Sequence, residues 1–146
     1  MVDRIIAPRP RGPATFRSGG DALAWAGGIV LSVGAFTGWY AVTIDGARYA
    51  VVAWNTGALG KLTFLAGIAA LVLLVLRATG FEPPPALSGG LLHALLGTAA
   101  TIFVLIRVFS VPSAIQPADR GVGIWISLGG AAVLLAAGLL RAARER

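Results

Sequence analysis

The side chains able to do chemistry are few: one histidine, His93, six carboxylates spread from Asp3 to Glu145, and no cysteine. Without sulfur ligands there is no disulfide framework, thiolate nucleophile, iron–sulfur cluster or zinc–thiolate site. One imidazole cannot build a multi-histidine metal site within one chain, and the carboxylates are not clustered as a general acid and base must be. The expectation is therefore no catalytic residue, no cofactor, no metal and no enzyme activity. His93 is the single polar candidate, six residues after Leu87 and so about 9 Å into a helix at 1.5 Å per residue. An imidazole at that depth can sense pH or relay a proton. The ordinary alternative is a neutral ring bonded to a backbone carbonyl, to Ser88 or to Thr98.

The segments that must carry these residues are apolar. Of 146 residues 57% are hydrophobic and 12% charged, against about 45–50% and about 25% in soluble domains. A chain with half the usual charge cannot cover a water-facing surface, so a soluble enzyme core, a secreted scaffold and a disordered tail are excluded. The charge-free runs place the elements. Ala22–Ile44 lie between Asp21 and Asp45, Leu62–Leu76 between Lys61 and Arg77, Pro83–Ile106 between Glu82 and Arg107, and Gly121–Leu140 between Arg120 and Arg141. About 20 apolar residues cross a hydrocarbon layer of about 30 Å, and a lysine at a helix end can snorkel to the interface. Four spans follow, over about 22–41, 58–78, 87–107 and 121–141, with Pro83-Pro84-Pro85 breaking the chain before the third. The first run is too long, and too far from the start of the chain, for a signal peptide. The fold expected is an all-α membrane protein, four antiparallel transmembrane helices forming a single domain over 21–142.

Basic residues are retained in the cytoplasm. Eight of the twelve fall on one side of such a layout, among them Arg77 and Arg141, and four on the other: Arg48, Lys61, Arg107 and Arg120. Both termini are expected inside the inner (plasma) membrane, 1–20 as a flexible basic tail able to bind anionic lipid and 143–146 as a short one. The net charge of +6 is thereby a topology signal, and no nucleic-acid partner is expected. In the first outer loop Asp45-Gly46 is a type I′ turn dipeptide between β-prone runs, predicting a short hairpin or, equally, an irregular loop. Trp39, Tyr40, Trp54 and Trp125 are expected in an interfacial aromatic belt. Asp45 with Lys61, and Asp119 with Arg107, are candidate clamps between the outer loops.

Small residues four apart let helix backbones approach closely: Gly34 and Gly38, Ala66 and Ala70, Gly97 and Thr101, and Gly123, Ser127 and Ala131. These are the expected packing positions. With no ionisable residue deep in any span, the function expected is that of a structural or accessory membrane protein, acting through membrane lipid, a larger membrane-protein complex or a homo-oligomer. The alternative is a small transporter or channel that works only as an oligomer.

The order of Trp39-Tyr40, Ala53-Trp54 and then Arg120-Gly121 with Trp125 opening the last span resembles a group of small, uncharacterised four-helix bacterial integral membrane proteins. The resemblance covers about residues 25–140 and implies a fold but no activity. The layout is also similar to that of claudin-type proteins, whose paired loop cysteines are absent here.

Overall fold

The computed structural model describes residues 19–81 and 88–144. Residues 1–18 of the expected basic tail, the Pro83-Pro84-Pro85 breaker and the last two residues lie outside them, while Gly19 and Gly20, expected in the tail, open the first helix. Four helices carry the chain: α1 Gly19–Gly34, α2 Ala58–Ala78, α3 Gly89–Phe109 and α4 Val122–Arg144. Three strands form a small sheet: β1 Gly38–Ile44, β2 Ala47–Val52 and β3 Asp119–Arg120. The last three helices, 21, 21 and 23 residues long, are long and apolar enough to cross a membrane. At 16 residues, α1 is about 24 Å long.

The first span thus departs from the expectation. Its helix stops at Gly34, and Gly38, Trp39 and Tyr40, placed by sequence at the end of that helix, belong to β1. The local reason is the β-branched and aromatic run Thr37-Gly-Trp-Tyr-Ala-Val-Thr-Ile44, which suits a pleated surface better than a helix. The Gly34 carbonyl, left over at the helix end, accepts from Thr37 Oγ1 at 2.6 Å and Trp39 Nε1 at 3.1 Å.

The predicted hairpin is present. β1 and β2 pair antiparallel from Ile44↔Ala47 outward, and Asp45 and Gly46 both have positive φ, 51° and 80°, as the type I′ turn requires. What sequence did not reveal is β3, which pairs on the other edge of β1 (Tyr40↔Arg120, Ala41↔Asp119) to give the order β2-β1-β3.

Neighbouring helices run antiparallel. Along α1 and α4, Gly27 faces Leu134 and Gly34 faces Ser127; along α3 and α4, Gly90 faces Ala142 and Gly97 faces Leu135. α2 lies against α1, where Gly28 meets Leu71, and against α3, where Ala70 meets His93. The middle of the core is Leu31, Ala66, Ala70, Ala100, Ala131 and Leu134. A second cluster under the sheet holds Ala35, Trp39, Tyr40, Val104 and Ile124. Outside, the large side chains point away from the protein: Val33, Leu65, Leu95, Ile102, Trp125 and Leu139 are all half or more exposed. Small residues inside and large apolar ones outside is the inverse of a water-soluble helical protein.

Candidate functional site: a charged junction of four helix ends

At the end opposite the sheet each helix contributes a charged or titratable side chain to one cluster. Asp21 lies in the first turn of α1, Arg77 in the last turn of α2 and Arg141 in the last turn of α4; His93 is the fifth residue of α3. Antiparallel packing alone brings them to one level. Asp21, His93 and Arg141 are 5%, 1% and 3% exposed, whereas the Arg77 side chain is about half exposed, at 48%.

The geometry is that of a carboxylate between two guanidiniums. Arg141 Nε lies 3.3 Å and Arg77 Nη1 3.7 Å from Asp21 Oδ1. On its other side Arg141 reaches His93, with Nη1 3.1 Å from Nδ1. The imidazole is further held by two backbone carbonyls, Gly89 at 2.7 Å from Nδ1 and Ala70 of α2 at 3.1 Å from Nε2. Two ring nitrogens therefore serve three partners. An arginine N–H needs the Nδ1 lone pair, which puts the ring proton on Nε2 and directs it to Ala70 O. A proton on Nδ1 serves Gly89 O instead and sets two donors against each other at Arg141. Ser88 caps α3, its Oγ accepting from Leu91 N at 3.2 Å, and Thr98 turns back to Ala94 O; the ring touches neither.

Chemically the junction is an ion-pair and hydrogen-bond lock in which, among the described residues, two guanidiniums share one carboxylate. A carboxylate, two guanidiniums and an imidazole offer no strong nucleophile. Among the described residues no three His, Cys, Asp or Glu side chains come close enough to hold a metal ion.

The sequence singled out His93 here and read the other three as span-flanking charges. A signal for two of them was available. Buried positions on α4 run Gly123, Ser127, Ala131, Leu134 and Ala137 and end on Arg141; on α1 they run Gly28 and Ala24 back to Asp21. Each charge thus continues the inward stripe of its own helix at three- or four-residue spacing.

The expected packing residues are distributed as follows. A Cβ on Gly34 would meet Ser127 Oγ at 2.5 Å and one on Gly97 would meet Leu135 N at 2.4 Å. Ala66, Ala70 and Ala131 are in the central cluster. Thr101 is half-buried and bonds back to Gly97 O. Gly123 lies under Thr37 and Gly38, and Gly38 is a strand residue. Of the four belt aromatics, Trp54 and Trp125 are exposed, at 39% and 53%, but Trp39 and Tyr40 are at 0%. They are core residues, because β1 is the central strand of a sheet laid over the helix ends. Trp39 Nε1 donates to Ser127 Oγ at 2.9 Å and Tyr40 Oη to Arg107 O at 2.5 Å.

Neither outer-loop clamp forms: Arg107 Nη2 donates to Thr56 O at 2.8 Å, and Arg120 Nε donates to Val108 O. These arginines instead fasten backbone at the sheet end. Lys61 sits over Trp54, 5.5 Å from the ring centroid, a cation–π contact.

Set against protein-family models, curated proteins and solved structures, the chain matches none of them.

Proposed function

We propose that this is a multi-pass protein of a bacterial plasma membrane, a bundle of four spans in which α1, completed by the buried start of β1, is the fourth. The junction end faces the cytoplasm and the sheet faces outward, as the basic-residue bias requires. Its role is structural or accessory, exercised through contacts with lipid, a larger membrane complex or its own copies, and it catalyses no reaction.

The observation that supports this reading best is where the polar groups go. His93, Asp21 and Arg141 are spent on neighbouring helices, and the threonines of α2 and α3 bond back to their own turns. Between the junction and the sheet the interior is mainly Ala, Gly and Leu, and its buried hydroxyls Ser32 and Thr63 bond back to their own helices, which gives ions no continuous polar path through one chain. The transporter alternative therefore needs a path between protomers.

The absence of native cysteine makes the test clean. Ala47→Cys, beside the hairpin turn, should react with a membrane-impermeant maleimide in intact spheroplasts, and Thr79→Cys only after permeabilisation. Labelling of both on one side, or in the reverse order, overturns the topology. Purified protein in liposomes should pass no ions or small amphiphiles; flux through a homo-oligomer would replace the accessory reading with the transporter.

A further inference from the structure

Beside the junction, between α2 and α3, is a cavity of about 30 Å³. Its polar lining is Arg77, His93 and Arg141, and its apolar wall includes Leu73, Leu76 and Leu92. Three observations bear on what it takes. Among the described residues Asp21 is the single carboxylate of this cluster, shared by two guanidiniums, so one positive charge is left over. Arg141 is 97% buried, yet its Nη2 has no hydrogen-bond partner among the described residues. Arg77 is held at a long 3.7 Å with half its side chain exposed, so it is open to a second anionic partner. The N-terminus of α3, the positive end of that helix, enters the same cavity at Gly89, which adds to the preference for an anion.

We infer that this groove is a binding site for an anionic phospholipid, an inference that rests on the membrane reading above. The cavity admits a group about the size of one or two waters, too little for a headgroup. The phosphate therefore sits at the mouth on Arg77, one oxygen directed inward toward Arg141, and an acyl chain runs along Leu73, Leu76 and Leu92. A basic pocket between helices at the cytoplasmic end, walled by leucine, fits a phosphodiester with a tail. A zwitterionic lipid brings its own cation to a site that already has one in excess.

The test is native mass spectrometry of the full chain in mild detergent, titrated with phosphatidylglycerol or with phosphatidylcholine of the same chains. Phosphatidylglycerol should bind saturably and more tightly, and Arg77→Gln should weaken it about fivefold, the effect of about 1 kcal/mol per basic residue at a membrane surface. Arg48→Gln, on the sheet, should change nothing. Arg77 is partly exposed, so its variant is expected to fold, and circular dichroism with an unchanged elution volume checks this. Equal binding of the two lipids, or indifference to Arg77→Gln, overturns the site. Displacement of phosphatidylglycerol by millimolar inorganic phosphate shows a bare anion site and overturns the lipid assignment. Cysteine labelling in the expected topology with no lipid selectivity removes this inference alone, whereas a failed topology removes both.

Discussion

Tyr40 illustrates how far a single residue's role can lie from its type. An aromatic next to Trp39 at the end of an apolar run reads as an interfacial anchor, and only the strand it sits in makes it core. Its phenol is buried and donates to the Arg107 carbonyl at 2.5 Å. Tyr40→Phe should cost about 0.5–1.5 kcal/mol at neutral pH, the usual net worth of such a bond. Unfolding midpoints in detergent measure it; a Tyr40→Phe variant as stable as the wild type would contradict the assignment.

At the scale of elements, the charge-free runs located α2, α3 and α4 because the ends of a span are where charges become tolerable, a local property of the chain. The hairpin was legible for the same reason, since Asp45-Gly46 carries its own turn chemistry. α1's early end and β3 were not. The two-residue strand at Asp119–Arg120 has no period to detect and exists because β1 offers it an edge. Small-residue spacing was similarly ambiguous, because a chain with 20 glycines matches it in many places. Only the packing separates Gly97, whose added Cβ would lie 2.4 Å from the backbone of Leu135, from Gly129, which has nothing within 4 Å. Gly97→Ala should force α3 and α4 apart and cost about 1–3 kcal/mol, as overpacking does. Gly129→Ala should stabilise by up to about 1 kcal/mol, the helix-propensity gain. Parallel SDS-unfolding titrations would show the two moving in opposite directions; a shared direction would mean that α3 and α4 do not meet at Gly97.

The whole molecule divides along its axis into a sheet that closes one end, a middle packed mainly with Ala, Gly and Leu, and a charged junction at the other. The junction was half legible. His93 stood out because nothing else like it occurs in the spans, whereas Asp21, Arg77 and Arg141 looked like charges that mark span ends. Which face of a helix end turns inward depends on the register of all four helices, a non-local property. That register gives the junction its energetic character. Asp21 is the carboxylate that balances a buried Arg141 and a half-exposed Arg77, so removing it strands a guanidinium inside the protein. Breaking one partner of a buried pair costs about 3–5 kcal/mol, while replacing both with apolar groups of similar size is often near neutral. Asp21→Asn alone should therefore destabilise the fold by about that amount. Asp21→Asn with Arg141→Met should cost clearly less than the sum of the two single changes, since the double variant leaves no charge to strand. A double-mutant cycle read by reversible unfolding in bicelles measures the coupling directly. Additive single effects would mean that Asp21 and Arg141 are solvated independently, and that apolar packing alone holds the four helix ends together.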